Sequence, residues 1–286
     1  MQQVRSYQGR PVQAPEVPAV RRKGNDDEGF VASVWRLAET EKGGCLLLCL
    51  VREMGMGGPP EEKVFDLPEL RGKTAVFRDR AEAGRILASM LAAYRGTDAV
   101  VFAIPAGGVP VGAVLARELG LPLEVAVVSK ITLPWNTEAG YGAVAFDGTV
   151  RLNEELVSYY GLTKEEIEEG TAKTAQKVAR RVQAFRGGRP LPELKGRPVI
   201  LVDDGLASGF TMLTAVAAMR KAGADKVIIA VPTGHFGAIE RVAPCVEAVY
   251  CANIRSGWRF AVADAYEEWS DVSEEEVKRI LADFGA

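Results

Sequence analysis

From about residue 76 the chain alternates short apolar runs with longer amphipathic stretches, and that rhythm leaves few architectures open. Residues 99–104, 123–128, 199–202, 226–231 and 248–254 are each too short for a typical helix. They are apolar almost throughout rather than at every second position. Strands covered on both faces read this way. Between them, residues 80–94 place Ala83, Ile86, Leu87, Met90 and Leu91 on one helical face, with Asp79 as the capping residue. Further helices are expected over 110–119, 153–160, 164–186 and 211–222, with Gly120 and Gly223 as stops. Strand and helix in alternation predict an α/β fold with a mainly parallel five-stranded sheet flanked by helices. At 286 residues and 48% hydrophobic, the chain has enough apolar material for a sizeable core.

The first 70 residues read differently. Residues 1–28 carry Pro11, Pro15 and Pro18 and close on Gly24-Asn25-Asp26-Asp27-Glu28-Gly29, a tail-like composition. Apolar runs 30–37 and 45–51, with Gly43-Gly44 between them, predict a β-hairpin. Residues 54–63 are a breaker-rich linker. The expected division is therefore an N-terminal tail and hairpin extension over 1–70 and an α/β domain over 71–286. Within that domain Asp147-Gly148 predicts a second hairpin joining 143–146 to 149–152.

Charge and cysteine usage exclude several classes. A net charge of −3 gives no footprint for nucleic acid or an anionic membrane. No apolar run approaches the roughly 18 residues a membrane helix needs. Cys45, Cys49, Cys245 and Cys251 have no metal-site spacing, and His235 is the lone histidine. Buried, reduced thiols and a cytoplasmic setting are expected.

The chemistry concentrates in Val199-Ile200-Leu201-Val202-Asp203-Asp204-Gly205-Leu206-Ala207-Ser208-Gly209-Phe210-Thr211. A buried strand ends in two adjacent carboxylates, at the edge where open α/β sheets bind ligands. Ribose hydroxyls can donate to both acids, and Mg²⁺ can offset their repulsion. The small residues beyond them expose backbone N–H groups, Ser208 and Thr211 add hydroxyls, and the following helix points its positive end there. The plain alternative is a capped strand–helix junction. No Gly-x-x-x-x-Gly-Lys-Ser/Thr loop and no Gly-x-Gly-x-x-Gly fingerprint occurs. A second glycine turn, Pro105-Ala106-Gly107-Gly108-Val109, also follows a strand and opens a helix, so its amides too can approach an anion.

These segments resemble the type I phosphoribosyltransferases, within them a branch of predicted phosphoribosyltransferases. The similarity extends over residues 76–282 and includes Phe77-Arg78-Asp79-Arg80-Ala81, Ile104 to Pro110 and Tyr266-Glu267-Glu268-Trp269-Ser270. The resemblance implies transfer of a phosphoribosyl group from phosphoribosyl diphosphate (PRPP), with Mg²⁺, to a small nitrogenous acceptor in a homodimer. It places the 5′-phosphate on Gly205, Leu206, Ala207, Ser208, Gly209, Phe210 and Thr211. Asp203 and Asp204 take the ribose and metal, and Ala106, Gly107 and Gly108 take pyrophosphate. It makes 132–142 a closing lid in which Asn136 and Glu138 contact substrate, the alternative being a simple exposed hairpin arm. Relatives usually carry arginine where this chain has Ala106; Lys130, at a strand end, is either the substitute cation, joining the two acids as a catalytic candidate, or an ordinary exposed strand-end lysine. The neutral residue also favours a rival reading, a sensor that binds PRPP or a nucleotide without turnover. For the acceptor, Trp135, Phe236, Trp258, Phe260 and Tyr266 are candidate aromatic faces, with core packing as their alternative, and His235 is either an acid/base or structural.

Overall fold

A computed structural model describes residues 63–284. The predicted hairpin over 30–51, the tail before it, and Cys45 and Cys49 lie outside the described residues.

Six strands form a parallel sheet: β1 (Val64–Phe65), β2 (Val100–Ala103), β3 (Leu123–Val125), β7 (Pro198–Val202), β8 (Lys226–His235) and β9 (Ala248–Arg255), in the order β1-β9-β8-β7-β2-β3. The expected count was five. The added strand, β1, pairs Val64 and Phe65 with Val249 and Tyr250. Two residues after a breaker-rich linker display no period, so the sequence pattern does not announce it.

The run over 123–128 also divides. Leu123–Val125 stays in the parallel sheet, and the chain then leaves it to start β4 (Val128–Leu133). β4, β5 (Asn136–Ala145) and β6 (Val150–Leu152) form a separate antiparallel meander, with Val128 opposite Ala145 and Val144 opposite Val150. The Asp147-Gly148 turn is present: the Asp147 carboxylate accepts from the Thr149 N–H at 2.9 Å. The expected lid is the β4–β5 hairpin, whose register shifts between Ile131 and Leu133.

Among the described residues five α-helices answer the expected ones, α1 (Arg80–Met90), α2 (Gly108–Leu119), α3 (Glu154–Tyr160), α4 (Lys164–Arg186) and α5 (Phe210–Lys221), and two more, α6 (Phe236–Val242) and α7 (Glu274–Ala282), were not expected from the sequence. Asp79 caps α1, accepting from the Glu82 N–H at 2.7 Å. A capping box between Thr163 and Glu166 starts α4.

Alternate strand residues face opposite layers. Val101, Ala103, Ile200, Val202, Ile228 and Ala230 pack with residues of α1, α2 and α7. Val100, Phe102, Val199, Leu201, Val227 and Ile229 pack with α5 and α6. Burial on both faces explains the continuous apolar runs, and it brings the carboxyl ends of β2, β7 and β8 to one edge.

Candidate functional site

The acid step follows β7, and the Pro105–Gly108 turn follows β2, its hydrogen-bonded neighbour. Parallel pairing therefore sets the two loops side by side. The approach is so close that only glycine fits. A Cβ at residue 107 would lie 1.9 Å from Asp204 Oδ2, and one at 108 would lie 2.7 Å from the Val202 carbonyl and 2.8 Å from Asp203 Cα. The Pro105–Ala106 peptide is cis.

Both acids are held from behind. The Asp203 carboxylate accepts from the Asp204 N–H at 2.9 Å. Arg80, at the first turn of α1, donates Nε and Nη2 to Asp204 Oδ2 at 3.0 and 2.9 Å, and Nη1 to the Ser270 carbonyl at 2.8 Å. Its guanidinium also lies 3.9 Å from the Trp269 ring centroid. The Tyr266 hydroxyl donates to the Asp204 carbonyl at 2.7 Å. Burial and the adjacent Asp204 carboxylate push Asp203 well above the usual carboxylate range. Asp204 is raised as well by burial, against the opposing pull of Arg80. Two crowded acids of this kind suit partners that donate hydrogen bonds or bring positive charge.

Among the described residues no group of three or more metal-ligating side chains occurs. Mg²⁺ does not need one: it takes one or two protein carboxylates and completes its shell with water and substrate oxygens. Asp203 and Asp204 are hard oxygen donors, and Asp203 lines an open cavity, so the chemistry of the pair fits that requirement.

The loop beyond the acids divides in two. The Leu206 N–H is taken by the Thr233 carbonyl at 2.9 Å, and its side chain is buried, so this residue anchors the loop to β8. The N–H groups of Ala207, Ser208 and Gly209 meet no backbone carbonyl among the described residues. Gly209 sits at φ +83°, where the chain turns into α5. Ala207 and Ser208 are exposed and Gly209 is buried, ahead of a twelve-residue helix, an arrangement able to receive an anion.

A cavity of about 290 Å³ opens beside these loops, lined by Ile104, Pro105, Asp203 and Thr211 from the sheet edge. Val128, Ser129, Lys130 and Thr132 of β4 and Lys177 and Arg181 of α4 complete it. Of the candidate residues, Asp203, Thr211 and Lys130 meet at this cavity; Asp204, Ala106, Gly107, Gly108 and residues 205–210 are not among those that line it. Lys130 also packs closely over Gly140 of the facing strand.

The acceptor candidates scatter. Tyr266 is 5% exposed and supports Asp204, so it offers no face to an acceptor. Trp258 is 87% exposed and stacks with Arg259. Trp135, 60% exposed, meets Tyr160 at the hairpin tip. Phe236 is exposed at the start of α6. Phe260 packs on Arg255 and edge-on against His235. His235 caps α6: its Nδ1 accepts from the Gly237 N–H at 3.2 Å, and Nε2 lies 3.1 Å from the Gly257 carbonyl. Both ring nitrogens are thus engaged, and the structural alternative accounts for this residue. The Glu138 side chain lies outside the described residues.

Sequence reasoning missed three cations. Arg80 had a readable signal, an arginine at the helix N-terminus where acids are normally favoured. Lys177 and Arg181, at i and i+4 on the helix, had only a shared face to mark them.

A profile of the phosphoribosyl transferase domain matches residues 74–265. The chain belongs to this family. Two Mycobacterium tuberculosis relatives, provisionally named phosphoribosyl transferases, are 37% identical over 206 residues. That stretch is 72% of this chain and 46% of each relative, so the chain spans about half the length of the curated relatives it matches. A ribose-phosphate pyrophosphokinase from Pyrococcus furiosus is 41% identical over 63 residues, 21% of this chain and 23% of that protein. Among solved structures, TT1426 from Thermus thermophilus superposes with a TM-score of 0.60 at 34% identity, covering 73% of this chain and 98% of that one. The phosphoribosyl transferase match contains both glycine loops, the paired acids and Arg80. No helix among the described residues is long and apolar enough to cross a membrane.

Proposed function

We propose that this chain transfers a phosphoribosyl group from PRPP to a nitrogenous, nucleobase-like acceptor, releasing pyrophosphate. The observation that carries this reading is the packing of the Gly107-Gly108 turn directly against Asp203 and Asp204 beside one cavity. An acid pair for ribose hydroxyls then lies between an amide nest for the 5′-phosphate and a second glycine loop for the diphosphate.

In the reaction the acceptor nitrogen forms a bond to C1 of the ribose while the bond from C1 to the diphosphate oxygen breaks. The nitrogen's proton leaves to solvent or to the departing pyrophosphate. Positive charge develops on the sugar and negative charge on the leaving group. Asp203 and Asp204 orient the ribose through its hydroxyls and place anionic charge under the developing cation. Residues 207–211 hold the 5′-phosphate, while 106–108 and Lys130 steady the diphosphate. Mg²⁺, carried with PRPP and held by the two acids, supplies charge neutralisation. The β4–β5 hairpin is the candidate cover that excludes water. Residues 1–70 are an extension to a transferase domain over 71–286, and a soluble cytoplasmic homodimer is the setting.

Asp204→Asn in the full chain tests the assignment. Calorimetric titration with PRPP and Mg²⁺ is expected to show affinity falling about tenfold or more, as for a lost charged hydrogen bond. Unchanged affinity would refute it. The sensor reading keeps one supporting observation, the absence of any charged side chain in Pro105–Val109. Pyrophosphate release with a panel of bases separates the two: release means transfer, and binding without release means sensing.

A further inference from the structure

The turn read as the diphosphate site is electrically neutral: Pro105-Ala106-Gly107-Gly108-Val109 contributes amides and no cation. Across the cavity from it the balance is reversed. Lys130 of β4 and Lys177 and Arg181 of α4 line the same space, and Asp203 is the acid among the lining residues. Arg181 is braced from outside, its Nε donating to Glu274 at 2.9 Å. Glu274 is itself shared with Arg180 at 2.8 Å. Loss of hydration lowers the Lys177 ammonium below the usual lysine range; neighbouring Arg181, Arg180 and Lys130 lower it further, and Glu274 opposes them. Cations crowded in this way gain most from an incoming anion.

A second observation points to the same space. Ser129, also on the cavity wall, is 4% exposed, and its hydroxyl has no hydrogen-bond partner among the described residues. A buried hydroxyl is ordinarily satisfied. An anion with several oxygens, seated between β4 and α4, would satisfy the hydroxyl and the cations together.

We propose that α4 supplies, through Lys177 and Arg181, the positive charge for the diphosphate of the phosphoribosyl donor, with the Ser129 hydroxyl donating to the same anion. This rests on the phosphoribosyl-transfer reading and deepens it. As the bond from C1 to oxygen breaks, negative charge grows on the leaving diphosphate, and cations fixed on a helix meet that charge without rearranging. The 5′-phosphate and ribose remain with residues 207–211 and the two acids.

The test uses the full chain and three probes, each with Mg²⁺: pyrophosphate, PRPP and ribose 5-phosphate. Lys177→Met keeps the aliphatic stem and removes the charge. Its affinity for pyrophosphate and PRPP is expected to fall about tenfold, as for a lost charge-assisted bond, while ribose 5-phosphate binding changes less than about twofold. Ser129→Ala removes a hydroxyl that has no partner among the described residues. It is expected to weaken the same two ligands several-fold without lowering the melting temperature of the unliganded chain. Equal losses for all three probes, or no loss for any, overturn the assignment. Wild-type protein that binds pyrophosphate through Lys177 but not ribose 5-phosphate keeps the α4 anion site and loses the phosphoribosyl reading. Protein that binds all three with Lys177→Met unaffected does the reverse.

Discussion

Gly107→Ala is the sharpest perturbation of this site, because one methyl group collides with Asp204, the acid proposed to take the ribose. The new Cβ would lie 1.9 Å from Asp204 Oδ2 and 2.4 Å from its Cγ. Non-bonded contact distances of about 3.5 Å require the carboxylate to retreat by roughly 1.5 Å. A shift of that size cannot keep both Arg80 contacts at their present 2.9 and 3.0 Å with good alignment. Overpacking costs about 1–3 kcal/mol and the lost charged bonds about 1.5–3 kcal/mol. The two overlap, because retreat relieves the clash, so about 3 kcal/mol is the expected total. For a domain of this size each kcal/mol shifts the melting temperature by about 2–4 °C, so a fall of roughly 6–12 °C is expected. Ribose 5-phosphate affinity, measured by calorimetry, should fall about tenfold or more, since the acid no longer faces the ribose. Gly72→Ala is the control: it also changes a glycine, at φ +71° with nothing within 4 Å of its added Cβ, and incurs backbone strain alone. If Gly107→Ala melts and binds like that control, the packing of the two loops is not what organises the site.

Two further outcomes follow from the supports. Arg80→Lys retains a charge but cannot reproduce three donors directed at Asp204 and Ser270; PRPP affinity should drop several-fold and the melting temperature by a few degrees, and a variant indistinguishable from wild type in both would remove Arg80 from the site. Asp79→Ala should cost about 1 kcal/mol in urea unfolding at pH 7 through loss of the α1 cap. The Glu82 N–H holds the Asp79 carboxyl below its unfolded value of 3.8. Its stabilisation is therefore full above that value and lost as pH falls through the depressed one. The gap between variant and wild type should persist from pH 5 to 8 and shrink below about pH 3.8; a constant gap down to pH 3 contradicts the cap assignment.

The legible parts of this molecule are those where one physical demand dominates. Residues 199–202 and 100–103 read as strands because both faces are covered, and Asp79 reads as a cap because its carboxylate meets an orphan amide. Gly107 and Gly108 were visible because close approach restricts residue choice, and the structure shows Asp204 and the Val202 carbonyl making that approach. The division of 123–128 into β3 and β4 was hidden, since both halves are apolar and only the pairing of Val128 with Ala145 distinguishes them. Tyr266 stood open between acceptor face and core packing for a related reason. Aromatic character does not reveal that a hydroxyl reaches the Asp204 carbonyl, 62 residues earlier in the chain. Lys177 and Arg181 look like ordinary solvated charges until α4 is laid against β4.

The clasp around Arg80 spans almost the whole domain. The residue starts α1, yet it holds an acid 124 positions later and the Ser270 carbonyl 190 positions later. A parallel bridge between Phe77 and Tyr266 closes the same circuit. During synthesis, then, this edge of the sheet has no means of taking its final form until the segment around residue 270 has left the ribosome, and a nascent chain that stops short of it carries the motifs without the grip that aligns them.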